Sequence, residues 1–171
     1  AVLHAKGQLD EAERCGRAAL RIDPNYADAL SNLGALLPAL GRLDEAQSCC
    51  QQALLLVPDH AGAFNNLGVA LQALGRLDEA LDSYLESIRL KPERERTHSN
   101  LATLHQAAGR HEEAERSCRE ALRLKPDFAD AWSNLGNTLT NLGSMAEAIS
   151  CYRRALQLKP NFEDAHSNLL F

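Results

Sequence analysis

Between Tyr26 and Gly41 the chain reads YADALSNLGALLPALG, with leucines at 30, 33, 37 and 40. Apolar residues three or four apart return to one side of a helix, so the stretch predicts an amphipathic helix ended by a glycine suited to a left-handed C-cap. The next stretch, RLDEAQSCCQQALLLVP from Arg42 to Pro58, opens with Asp44 and Glu45 and closes on proline. Acids suit the positive end of a helix dipole, and proline cannot donate the backbone bond that would extend a helix. Two helices, A and B, joined by a glycine turn are the expected unit. Pro38 falls inside helix A, where it removes one backbone hydrogen bond and is expected to bend the helix.

The unit recurs. Prolines stand at Pro24, Pro58, Pro92, Pro126 and Pro160, each 34 residues after the last, and Gly7, Gly41, Gly75, Gly109 and Gly143 keep the same interval. Ala12, Ala46, Ala80, Ala114 and Ala148 follow those glycines. A fixed period of this length means stacked units rather than one globular core. With the proline as position 32, residues 27–60, 61–94, 95–128 and 129–162 are complete repeats, 1–26 is a partial repeat, and 163–171 starts a further helix. Ala1 to Lys6 then reads as the tail of a helix A, turned at Gly7. Both ends expose unpaired helix, and a solenoid without polar caps tends to self-associate there.

The repeat resembles the tetratricopeptide repeat on Trp132, Leu135, Gly136, Ala148, Tyr152, Ala155 and Pro160. In that family these types stand at positions 4, 7, 8, 20, 24, 27 and 32. Cys50 and Cys118 depart from the aromatic slot at position 24, as does Gly16 in the partial repeat, and His98 and His166 depart from the large apolar residue at position 4. The resemblance implies an all-α fold, a right-handed superhelical solenoid of antiparallel helix pairs. Leu33, Leu37, Leu67, Leu71, Leu101, Leu135 and Leu139 are expected to pack against Ala53, Leu54, Ile88, Ala121, Leu122, Ala155 and Leu156.

Positions 2, 6, 9 and 13 stand at i, i+4, i+7 and i+11 and form a second stripe on helix A. The resemblance implies that this stripe lines a concave inner surface. Position 6 is Asn32, Asn66, Asn100, Asn134 and Asn168, an asparagine every time. An amide both donates and accepts, so a ladder of them can pair with the backbone of an extended peptide whatever its side chains. Neighbouring helices lie about 8–10 Å apart and an extended chain advances about 3.3–3.6 Å per residue, giving one rung for about every three ligand residues. The other reading is that the amides satisfy neighbouring backbone and register the helices. Position 2 adds Asp28, Asp130 and Asp164, which would favour Lys, Arg or hydroxyl side chains on a ligand, with Gly62 and Arg96 breaking the row. Asn137 and Asn141 extend the polar stripe in the last full repeat. The C-terminal repeats are therefore expected to be better equipped for binding.

Composition narrows the function. The 171 residues are 45% hydrophobic and 24% charged, with a formal net charge of −5. That is a folded chain with no basic footprint for nucleic acid. The longest apolar runs are too short to span a bilayer and no leader pattern opens the chain, so a cytoplasmic protein, or a piece of a larger one, is expected. Five cysteines without a C-x-x-C pair make neither a disulfide nor a zinc framework. Cys15, Cys49 and Cys151 at position 23, and Cys50 and Cys118 at position 24, read as packing residues of helix B. His98 and His105 face the core without ligand spacing, and no catalytic set gathers. No cofactor, metal or catalytic residue is expected.

One use of the resembling family, a clamp for chaperone C-terminal carboxylates, needs lysine at position 5 and basic residues at positions 2 and 6. Position 5 here is Ser31, Asn65, Ser99, Ser133 and Ser167, so that clamp is not expected. The unbroken asparagines, with AWSNLGN at Ala131 to Asn137, LKPDFADA at Leu124 to Ala131 and EDAHSNLLF at Glu163 to Phe171, look like the repeat part of the O-GlcNAc transferases and their bacterial relatives. That likeness implies a non-catalytic module presenting extended protein segments to a separate glycosyltransferase domain. A free-standing scaffold, or an array fused to a different catalytic domain, are the alternatives.

Overall fold

The computed structural model describes residues 2–169, and side chains for residues 7–163 and 165–168. Two compact units make up the chain, Ala1–Pro92 and Glu93–Phe171. The first holds α1 (Val2–Ile22), α2 (Ala27–Leu36), a 3-10 turn (Leu37–Leu40), α3 (Leu43–Leu56), α4 (Ala61–Ala73) and α5 (Leu77–Leu90). The second holds α6 (Glu95–Ala107), α7 (His111–Leu124), α8 (Ala129–Asn141), α9 (Met145–Leu158) and α10 (Glu163–Leu169). Each unit is an all-α stack of helix pairs, with no strand among the described residues.

Gly41, Gly75, Gly109 and Gly143 close the A helices at φ of 74°, 78°, 70° and 79°, a region that costs a side chain but not a glycine. At Gly75 the turn is closed by Arg76 N–H donating to Leu71 O at 2.9 Å, and at Gly143 by Ser144 N–H donating to Leu139 O at 2.8 Å. These bonds satisfy carbonyls that the helix end leaves open. Acids then open each B helix: Asp44 and Glu45, Asp78 and Glu79, Glu112 and Glu113, and Glu147.

Two local expectations are corrected. α1 runs through Gly7 without a turn, because that glycine lacks the positive φ of its four counterparts, and continuing the helix keeps its i to i−4 bonds. Pro38 does more than bend its helix. The α-helix stops at Leu36 and Leu37–Leu40 tightens to 3-10, which relieves proline's missing donor by shifting the hydrogen-bond register.

The core of each pair sits where position 8 of helix A faces position 24 of helix B. A methyl on Gly68 would stand 2.6 Å from Tyr84 Cε1, and one on Gly136 would stand 2.5 Å from Tyr152 Cε1. The glycines are the room in which those rings lie. Where position 24 is cysteine instead, Cys118 is buried beside a core that includes Ala102, whereas Cys50 faces a glycine, Gly34, whose added methyl would collide with the sulfur. Leu33, Leu37, Leu67, Leu71, Leu101, Leu135 and Leu139 are buried as expected. Leu54, Ile88 and Leu156 are only half-buried. In α5 the burial falls instead on Tyr84 and Ser87, whose hydroxyl donates to Ala61 O at 2.8 Å.

Candidate functional site

The polar stripe is consumed by its own protein to different extents along the chain. In Ala1–Pro92, Asn66 Nδ2 donates to Ser31 O at 2.9 Å and to Ser31 Oγ at 3.1 Å, while its Oδ1 accepts from Asn65 Nδ2 at 3.1 Å. Both halves of the amide are engaged, tying α4 to α2. Asn32 is exposed. Asp28 Oδ1 meets His60 Nε2 at 3.0 Å. The other ring nitrogen, Nδ1, accepts from Ala63 N–H at 3.0 Å and caps α4. With Nδ1 accepting, the ring proton sits on Nε2 and is donated to Asp28. Asp28 thus has a partner at the far end of its own repeat rather than a purely solvated carboxylate.

In Glu93–Phe171 the same stripe is used differently. Asn134 Nδ2 donates to Ser99 Oγ at 3.2 Å, repeating the asparagine-to-serine bond of the other unit. Its Oδ1 accepts no hydrogen bond among the described residues. Asn134 and Asn100 are both half-buried and line an open depression of about 480 Å³, together with Arg96, Ser99, Asp130 and Lys125. Its anions are matched: Asp130 lies 3.8 Å from Lys159 Nζ, and Glu95 lies 4.0 Å from Lys125 Nζ. Lys125 also stands 5.4 Å from the centre of the Phe128 ring. Gln106 donates to the Asn134 carbonyl at 2.7 Å and braces the middle of α8 against α6.

A second depression of about 400 Å³ lies further along α8 and is lined by no charged side chain among the described residues. Asn137, Thr140, Asn141, Tyr152 and Asn168 line it with Met145. Tyr152 donates its phenol hydrogen to Asn137 Oδ1 at 2.8 Å, and Asn168 Nδ2 donates to the same oxygen at 2.7 Å. Thr140 Oγ1 is 3.2 Å from the phenol oxygen. The structure therefore gathers Asn100, Asn134 and Asp130 at one depression, and Asn137, Asn141 and Asn168 at the other. Asp164 lies outside the described side chains. The ends expected to self-associate fall on Ala1–Lys6 and Leu169–Phe171, whose side chains are also outside them.

Sequence reasoning missed the partners. Ser31 and Ser99 receive the ladder asparagines, and the recurring serine at position 5 was the available signal. Arg96 looks like a gap in the acidic row, yet it lines the first depression.

The remaining reactive groups are packing groups. Burial pushes the Cys50 and Cys118 thiols up to about 12, so neither forms a thiolate near neutrality. Burial also raises Cys49 and Cys151. Cys15 departs from the expectation of a packed residue: it is exposed. His105 is buried, and burial followed by the charge of Arg110 holds its imidazole below the usual value. Among the described residues, no three His, Cys, Asp or Glu side chains gather to hold a metal ion, and no helix is long and apolar enough to cross a membrane.

Comparison with known proteins agrees on one family. Tetratricopeptide repeat patterns match residues 25–93 and, as two single repeats, 95–128 and 129–162, and a TPR repeat pattern matches 2–39. No curated protein sequence matches the chain. Among solved structures, TTC0263, a thermophilic TPR protein of Thermus thermophilus, superposes with a TM-score of 0.88 at 26% identity, covering 99% of this chain and 94% of that one. YrrB, a TPR protein described as having an unusual peptide-binding site, gives 0.70 at 20% identity over 99% and 88% of the two chains. The first TPR of Spaghetti (RPAP3), bound to the HSP90 peptide SRMEEVD, gives 0.63 at 27% identity over 64% of this chain and 87% of that one.

Proposed function

The chain belongs to the tetratricopeptide repeat family, and from that premise we propose that it is a protein-protein interaction module that holds extended peptide segments on the polar stripe of its A helices. The observation that carries this reading is Asn134: half-buried at the wall of an open depression, with the nitrogen of its amide engaged by Ser99 and its oxygen left open. An amide oxygen held in place by a bond through its own nitrogen is a preorganised acceptor for a ligand backbone N–H. Asn32, Asn66, Asn100, Asn168, Asn137, Asn141, Asp28, Asp130 and Asp164 complete the proposed contact set, with Asn66 and Asp28 serving mainly to position it. The peptide complex of the Spaghetti relative supports the general mode. A lysine clamp for a C-terminal carboxylate is not part of this proposal, because position 5 carries no lysine here.

As the finer reading, the module serves as the substrate-presenting part of an O-GlcNAc transferase-like glycosyltransferase. The likeness of the AWSNLGN and EDAHSNLLF stretches supports it. A free-standing scaffold uses the same stripe without a catalytic neighbour.

Fluorescence anisotropy with labelled extended peptides tests the interaction. N-methylation of the peptide backbone should weaken binding about twofold to tenfold per blocked N–H, the value of one net hydrogen bond. Affinity that survives N-methylation throughout would contradict backbone recognition. Fusing the chain to a glycosyltransferase domain and comparing turnover on tethered and untethered peptides tests the finer reading. Equal turnover with and without the array would reject it.

A further inference from the structure

The charge balance at the first depression differs from what the aspartates of the sequence lead one to expect. Arg96, Lys125 and Lys159 stand at or beside it, against two carboxylates, Glu95 and Asp130. Lys125 pairs with Glu95 and Lys159 with Asp130. That leaves Arg96 as the lining cation with no ion pair among the described residues, and it is exposed. A carboxylate already near an ammonium offers little to an incoming lysine, whereas an unpaired guanidinium offers five donors in a fork that matches a carboxylate. Among the described side chains, the second depression presents amides, hydroxyls and the Met145 thioether. A charged group entering it would lose hydration without gaining an opposite charge, while an uncharged polar side chain exchanges hydrogen bonds at little cost. Both depressions lie along one stripe of α8, Asp130 and Asn134 at the first and Asn137 and Asn141 at the second.

Resting on the peptide-binding reading, we propose that the unit Glu93–Phe171 selects extended peptides by polarity order: an acidic side chain read by Arg96, and an uncharged polar side chain seated among Asn137, Asn141 and Tyr152. The midpoints of the two pairs on α8 are seven residues apart, about 10 Å along the helix at 1.5 Å per residue. At about 3.3–3.6 Å per extended residue, the two ligand side chains are separated by at least about three positions. This reverses the ligand charge that Asp130 suggests, because that acid is answered by Lys159 within the protein.

Four fluorescein-labelled probes on an alanine-glycine background test the proposal with the full chain. They carry Asp and Ser three or four residues apart, Lys in place of Asp, Glu in place of Ser, and neither group, with both orders of the pair synthesised. The Asp-Ser probe is expected to bind tightest, about fivefold tighter than the Lys-Ser probe at low salt, the range of an exposed ion pair. The preference should shrink as salt is raised, as solvent-exposed pairs are screened. Arg96→Glu, at an exposed position, should keep the wild-type melting temperature and invert the Asp-over-Lys preference. Asn137→Asp should lower affinity for the Asp-Glu probe most. Equal binding of all four probes, or a preference for lysine in the wild type, overturns the polarity order and leaves peptide binding standing. Binding of none of them at millimolar concentration overturns both.

Discussion

Asn66 and Asn134 occupy the same position of two different repeats, one in each unit, and they are used differently. Asn66 gives its nitrogen to Ser31 and its oxygen to Asn65; Asn134 gives its nitrogen to Ser99 and keeps its oxygen. The neighbouring carboxylates are partnered too: Asp28 is held at 3.0 Å by the histidine that caps the next helix, while Asp130 stands 3.8 Å from a lysine. A repeated residue is therefore not a repeated function. What decides is position 5 of the neighbouring repeat and position 5 of its own. Asn65, unlike Ser133, brings a second amide that uses up the first.

The largest expected effect is one that the units share, and it checks that their scaffolds are alike. Gly68→Ala and Gly136→Ala each drive a methyl into a tyrosine ring. Each should cost about 1–3 kcal/mol, the usual penalty of overpacking, read by chemical denaturation. A neutral result in one unit only would mean that its helix pair packs loosely. Next, Asn66→Ala removes bonds at both ends of an interhelical amide and should cost about 1–2 kcal/mol, whereas Asn134→Ala, losing a single 3.2 Å bond, should cost less than about 1 kcal/mol. The reverse order in thermal melts would contradict the contrast.

Acid should separate the units further. The folded His105 titrates below its unfolded value of 6.5 because burial disfavours its cation. Its contribution is thus present above pH 6.5 and is lost as the pH falls below it. In the first unit, Arg17 and Arg42 hold Glu13 and Glu45 below the ordinary 4.5. Their contribution is present above 4.5 and is lost only on further acidification. Hydrogen exchange across this range should therefore show protection falling first in Glu93–Phe171, and His105→Leu should abolish the early loss. Loss beginning in the first unit would reject the assignment. The smallest effect concerns thiols: brief alkylation of the native protein should add one adduct, at Cys15, and none to Cys118 or Cys151, as mass spectrometry of the two units would show. Rapid labelling of Cys118 would mean that the second core opens readily.

Much of the fold was legible because the period is a backbone property. Four left-handed glycines and their prolines punctuate the chain at fixed intervals, and no tertiary detail overrides them. Gly7 misleads because the turn needs a positive φ that composition alone cannot reveal, and Pro38 because proline's missing donor can be met by bending or by a tighter turn. The stripe residues were legible by helical arithmetic, but their partners were not. Asp28 meets His60 at the other end of its own repeat, but Asn66 meets Ser31 and Asn134 meets Ser99, each across 35 residues, so the amide bonds that determine which groups remain for a ligand connect neighbouring repeats. Pairing positions between repeats, rather than within one, was the step that would have found them.

Isothermal titration of wild type, Asn66→Ala and Asn134→Ala with one extended peptide compares the two asparagines most directly, each variant being checked as folded beforehand. Asn134→Ala is expected to bind about twofold to tenfold more weakly, the worth of one backbone hydrogen bond, while Asn66→Ala, although less stable, loses less affinity than Asn134→Ala. Unchanged affinity for Asn134→Ala, with the loss falling on Asn66→Ala instead, would contradict the open amide oxygen as the ligand's anchor.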